Sequence, residues 1–201
     1  MLHSLEYTES FNSEHTKTSK CVVINETDTK PFITTKLRGN NNNNKKDISK
    51  CNYTDYYQMK TSSKILNIYE STENLSDLFL SERNLVIIPF KSVDDSESIL
   101  NRLLKVANKN ILPVCLMILS TDAIGEDKMN TVKGNLFDAI KNLESQLQAS
   151  IDKSMKSNEF PHRVQLSKQV NLIEQLKIFK EIINFSAISS DDDVSVIHWV
   201  I

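Results

Sequence analysis

The residues with the strongest claim to chemistry are four histidines, three cysteines and a few acidic clusters. A hydrolytic triad needs a histidine within hydrogen-bond reach of a nucleophile at the end of a strand. His3, His15, His162 and His198 instead fall in the tail, in a breaker loop and at the terminus. Cys21, Cys51 and Cys115 are odd in number and widely spaced, which suits neither a disulfide framework nor a zinc site. They read as reduced thiols, with Cys115 in the core. A divalent ion needs converging donors, and Asp94-Asp95 and Asp191-Asp192-Asp193 read better as a helix cap and a solvated turn. The turn Lys91-Ser92-Val93-Asp94-Asp95 has no glycine to admit a phosphate and two carboxylates to repel one. Glu82 and Arg83 read as a surface charge pair. Tyr53, Tyr56 and Tyr57 beside Lys50 and Lys60 are able to stack on bases, though anchoring an irregular arm is the simpler reading. The expected catalytic residues, metal ligands and cofactors are therefore none.

Composition narrows the class further. With 39% apolar and 25% charged residues, the 201-residue chain has the balance of a globular protein with one core. Three glycines and four prolines argue against glycine-rich phosphate loops. A net charge of −2 gives no overall field for nucleic acid or an acidic membrane, so any DNA contact is local or shared with a partner. No apolar run reaches bilayer length and the first residues lack a signal-peptide layout, which predicts a cytosolic or nuclear protein with no membrane partner. The sequons at Asn25, Asn52 and Asn74 are then chance matches.

The elements expected to position any site begin after a polar stretch. Residues 1–62 read as a largely disordered or irregular arm with an insertion at Asn40–Asn44, interrupted by Cys21–Ile24 and Pro31–Thr35 as edge strands or partner-binding segments. Residues 63–135 alternate strand and helix, the pattern of an α/β domain. Strands are expected at Lys64–Tyr69, Leu85–Phe90 and Leu112–Leu119, and a short helix at Glu73–Leu80. A second helix follows Ser92–Asp95 and carries Ile99, Leu103, Val106 and Ala107 on one face, with Asn110 at its end. The unit 85–119 predicts a right-handed parallel crossover. Residues 136–201 read as a helical C-terminal region. Leu136, Ile140, Leu143, Leu147 and Ile151 stripe a helix over 128–156. Past Pro161 a second helix carries Leu172, Leu176, Phe179 and Ile183 on one face, with Leu166, Val170 and Ile173 beside it. Val194–Ile201, with Trp199, reads as a terminal strand. The fold class is α/β, a small, mainly parallel sheet with flanking helices.

The run Asn84–Ser120, an apolar strand leading through acidic residues into an amphipathic helix and a second apolar strand, resembles the central nuclease-like domain of the XPF/ERCC family over roughly residues 63–135. Active members of that family carry a Gly-Asp and a Glu-Arg-Lys triplet that supply carboxylates for metal-dependent cleavage of branched DNA. This chain has Ser81-Glu82-Arg83-Asn84, without the lysine or the Gly-Asp. The resemblance therefore implies a non-catalytic partner subunit that heterodimerises with a larger XPF-like chain and helps it grip branched DNA. Small size, asparagine-rich texture and near-neutral charge are similar to the family's meiotic members, which implies crossover recombination and synapsis (the synaptonemal complex) on chromosomes in the nucleus. Residues 163–201 lack the glycine-containing hairpins of the family's DNA-binding tandem helix–hairpin–helix, so DNA-binding residues stay unassigned.

Partner contacts are expected from the two helical stripes and the terminus: Leu136, Leu143, Leu147, Leu172, Leu176, Phe179, Ile183 and Trp199. They are expected to leave the isolated chain with more apolar surface than it can close on one core. The alternative reading is a structural coiled-coil assembly subunit, such as a kinetochore-type scaffold component, in which residues 128–185 do the work. The two part on whether the first long helix packs back on its own domain or pairs along its length with another chain.

Overall fold

The computed structural model describes residues 17–25, 54–60, 64–71, 84–91, 96–109, 112–156 and 162–187. Within them lie strands β1 (Lys17–Ile24), β2 (Thr54–Lys60), β3 (Lys64–Ser71), β4 (Asn84–Phe90), β5 (Cys115–Ser120) and β6 (Ile183–Ala187). The helices are α1 (Ser96–Ala107), α2 (Glu126–Met155) and α3 (His162–Ile182). One sheet holds all six strands in the order β2-β3-β1-β4-β5-β6. Every pairing is parallel except that of β2, which lies antiparallel to β3 at one edge. The protein is thus an α/β fold on a mainly parallel sheet. With β2 set aside, the parallel strands run 2-1-3-4-5 in chain order, a doubly wound order whose direction of winding reverses between β1 and β4.

Burial explains the texture of the inner strands. Asn84–Phe90 is buried at every position and Leu116–Ser120 likewise, as in strands covered on both faces. Cys21–Ile24 is not the edge strand or partner-binding segment expected of it: β1 is an inner strand between β3 and β4 and is buried from Cys21 to Asn25. Alternation assigns the faces. Val22 and Ile24, then Val86, Ile88 and Phe90, then Leu116 and Ile118 form one face, and they cluster with Ile99, Leu103, Val106, Val132, Leu136, Ile140, Leu176 and Phe179 from the helices. Cys21, Val23, Leu66, Ile68, Leu85, Ile87, Met117 and Leu119, also buried, form the other. The polar strand β2 is cross-braced by Gln58 Nε2 donating to Asn67 Oδ1 at 2.9 Å.

The helices follow from their periodicity. α1 buries Ile99, Leu103, Val106 and Ala107, as its spacing predicts, and joins the parallel neighbours β4 and β5. α2, about 45 Å long at 1.5 Å per residue, starts at an extended Gly125 with Glu126 and Asp127 in its first turn, where carboxylates favour the helix dipole. It runs without a break through 135 and 136, so the expected boundary between sheet domain and helical region falls inside a helix. α3 returns antiparallel along it. Gln169 Nε2 donates to Ser150 Oγ at 3.2 Å, and Lys180 Nζ to Glu144 Oε2 at 2.9 Å. From Ile182 the chain passes straight into β6, which was not expected, and the C-terminal helices are thereby tied into the sheet.

The helix expected at Glu73–Leu80, the segment Pro31–Thr35, the insertion Asn40–Asn44, the pair Glu82 and Arg83, the caps Asp94 and Asp95, and the strand Val194–Ile201 with Trp199 lie outside the described residues.

Candidate functional site

In a doubly wound sheet the strands on either side of the reversal diverge at their carboxyl ends, and the crevice so formed is where ligands bind. Here β1 keeps company with β3 along its whole length, to Ile24 opposite Ser71, and Asn25 N–H still donates to Ser71 O at 2.9 Å. With β4 it pairs only over Lys20–Val23 against Asn84–Ile87. Beyond Ile87 the ladder between the two strands stops, and Ile24 and Asn25 on one side and Ile88, Pro89 and Phe90 on the other are all buried.

The ladder stops at Pro89 for a reason of valence. Phe90 O accepts Thr121 N–H at 2.8 Å and Thr121 Oγ1 at 3.1 Å, so it faces β5. Successive residues of a strand turn their peptide groups to opposite sides, so Pro89 addresses the β1 side. It has no N–H to offer there, which ends the ladder. Its carbonyl accepts instead from Nη1 of Arg102, a buried guanidinium on the apolar face of α1. Arg102 Nε also donates to Ser98 O and Nη2 to Ser98 Oγ, both at 3.2 Å. A side chain thus replaces the missing ladder. The sequence signal was a cation inside the stripe Ile99, Leu103, Val106, which composition-level reading passed over.

From the opposite face, Asn25 Nδ2 donates to Glu70 Oε1 at 2.8 Å, both residues being buried. Glu70 stands at the third buried position of β3 after Leu66 and Ile68, a place where an apolar residue is the rule. As placed, Asn25 cannot serve as a glycosylation acceptor. On the β5 side, Ser120 Oγ donates to Asp122 O at 2.8 Å. The polar groups around these strand ends are therefore engaged in holding them together. Among the described residues no group of three His, Cys, Asp or Glu is placed to hold a metal ion.

Of the residues expected to meet a partner, Leu136, Leu176, Phe179 and Ile183 are buried in the chain's own core, and Leu143, Leu147 and Leu172 are half-buried against it. That is a correction: α2 and α3 spend these stripes on each other, on α1 and on the sheet. Trp199 lies outside the described residues. Among the described residues, the large apolar side chains left in solvent are Met155 at the end of α2, Val164 and Val170 on the first half of α3, and Val114 before β5.

Cys21 and Cys115 sit on the second face of the sheet, two strands apart with Leu85 in register between them. At about 4.8 Å per strand spacing their Cα atoms lie beyond disulfide reach. Burial, the Glu70 carboxylate and Cys115, in that order, push the Cys21 thiol far above its ordinary range, so it stays protonated and unreactive. Cys115 Sγ is half-buried and accepts Asn184 Nδ2 at 3.6 Å. Among the described residues no helix is long and apolar enough to cross a membrane. Neither family models nor curated proteins give a match to this sequence.

Proposed function

We propose that the chain is a non-catalytic subunit that works bound to a larger protein. The observation that carries this reading is the state of the carboxyl ends of β1 and β4, where the winding of the sheet reverses. In a doubly wound fold that is the place for chemistry, and here Arg102, Asn25, Glu70, Ser120 and Thr121 are each committed to a structural hydrogen bond. The site lends itself to holding the sheet together more than to receiving a substrate. The packing of α2 against α1 and α3 favours an α/β subunit over a scaffold in which α2 pairs along its length with another chain.

The resemblance set out above extends the reading: the partner is an XPF-like chain, the joint substrate branched DNA, and the setting meiotic crossover formation on chromosomes in the nucleus. The test is purification of the full chain from its native cell, followed by mass spectrometry and by assays on flaps and Holliday junctions. A larger XPF-like chain in equal proportion is expected, with no Mg²⁺- or Mn²⁺-dependent cutting traceable to this subunit. Cleavage by the purified chain that Glu82→Ala abolishes would overturn the proposal.

A further inference from the structure

We propose that the outer edge of β6 accepts an extended segment of the partner protein as a seventh strand, and that Lys133 selects an acidic residue in that segment. The inference rests on the reading of the chain as a partner-bound subunit and names the surface used.

β6 pairs with β5 on one side, and among the described residues no strand pairs with it on the other. The direction of its free groups follows from the ladder. Thr121 N–H reaches Phe90 O, so the odd-numbered residues of β5 address β4, and Leu116, Ile118 and Ser120 address β6. In a parallel ladder each of these bonds the residues flanking its register partner, namely Asn184 and Ser186 on either side of Phe185. Phe185 and Ala187 therefore turn their peptide groups outward. An edge strand with outward N–H and C=O groups is a template for strand addition, in which main-chain bonds hold the peptide and alternate side chains choose it.

The flanks of that edge differ in chemistry. On the helix side the Phe185 ring stands edge-to-face against Phe137 of α2, with centroids 6.0 Å apart. The ammonium of Lys133 lies 5.8 Å from each ring, and Lys133 is exposed while both rings are half-buried. On the other side stand Asn184, exposed, and Ser186. An added strand would present every second side chain to the Phe137, Phe185 and Lys133 flank, where apolar groups and one carboxylate fit. The intervening side chains would meet Asn184 and Ser186, where Thr and Ser fit. That alternation specifies the occupant: an extended polar/apolar segment with a carboxylate on its apolar side.

The test uses the full chain and a blocked ten-residue peptide in which Ile, Val and one Glu alternate with Thr and Ser. In the free chain the Phe185 and Ala187 amides should exchange fast with solvent. The peptide should bind saturably and slow both at least tenfold. Ala187→Pro removes an outward N–H without touching the bonds to β5, and Lys133→Glu reverses the charge on an exposed side chain. Each should weaken binding at least tenfold, and a peptide with Lys in place of Glu should recover the second variant alone. Phe185 and Ala187 amides already protected in the free chain, or binding indifferent to both variants, would overturn the proposal. If the chain co-purifies with a larger protein and neither variant loosens it, the partner reading stands and the edge proposal falls. Absence of any such protein removes the partner reading independently of the peptide result.

Discussion

Arg102 of α1 donates to the main-chain oxygen of Pro89, which faces β1 where the ladder between β1 and β4 stops. A buried cation on an apolar helix face is costly unless each of its donors is used, and here three of them are used on Pro89 and Ser98. The same contact fixes α1 on the sheet, because Pro89 lies at the carboxyl end of β4, the strand that precedes α1.

Replacing Arg102 with Met keeps the apolar stem and leaves the Pro89 carbonyl buried without a donor. The expected cost is about 1–3 kcal/mol, read as a lower urea midpoint with unchanged slope. Arg102→Lys should recover only part of it, since one ammonium on a flexible stem cannot reproduce the planar fork that reaches Pro89 and Ser98 together. Equal stability of wild type and Arg102→Met would mean that the guanidinium is dispensable at the end of β4.

The buried stripes of α2 and α3 make a second, sharper contrast. Phe179→Ala should cost the isolated chain about 3–5 kcal/mol and Leu176→Ala about 2–5 kcal/mol, because both side chains are fully buried within the chain. Val164→Ser, on the exposed side of α3, should stay within about 0.5 kcal/mol. Thermal unfolding of the purified chain decides the matter. A chain that tolerates Phe179→Ala but is disturbed by Val164→Ser would reverse the assignment of the α3 faces.

Much of this architecture was legible from local pattern. The strands at 64–71, 84–90 and 115–120 announce themselves as apolar runs, and α1, α2 and α3 as helical stripes, because in each the period matches the buried face. What local pattern concealed was decided by distant partners. Lys17-Thr18-Ser19-Lys20 is polar, so only half of β1 reads as strand; its inner place depends on parallel pairing with residues more than forty positions away. β2 is polar because an antiparallel edge strand needs no second buried face. β6 follows α3 with no breaker, so the change of period at Ile183 has no punctuation to mark it. At the strand ends, Arg102 and Glu70 interrupt apolar series without any short motif, and only the end of the β1–β4 ladder gives them a role.

The Glu144–Lys180 contact between α2 and α3 is the next test. Lys180 Nζ reaches Glu144 Oε2 at 2.9 Å, while Glu144 Oε1 and Gln175 Oε1 are buried with no donor among the described residues. A pair that leaves acceptors unsatisfied contributes little net stability. Lys180→Leu alone should therefore destabilise, by about 1–3 kcal/mol, through the carboxylate it strands. Adding Glu144→Leu should restore stability to wild-type level or above it. The double-mutant cycle measured by denaturant unfolding checks this, and a double variant weaker than either single one would contradict it.

Cys21 gives the alkaline limit of the fold. Its thiol is buried on the second face of the sheet, and burial first, then the Glu70 carboxylate and Cys115, raise its pKa far above the ordinary value. The unfolded chain releases this proton near pH 8.5, whereas the folded chain keeps it. The folded state thus binds more protons on the alkaline side, and the contribution of Cys21 is fully present below the ordinary thiol pKa and lost as pH rises above it. At 1.36 kcal/mol per unit, the loss at pH 10 is about 2 kcal/mol. Cys21→Val removes the titration, so the stability of this variant relative to wild type should climb between pH 8 and pH 10. In the folded chain at pH 8, peptide-resolved mass spectrometry after iodoacetamide should find Cys115, half-buried, modified well before Cys21. Labelling of Cys21 at the rate of Cys115, or a wild-type-to-variant difference that stays flat with pH, would show that β1 opens at this position and that the thiol is not sealed in the sheet.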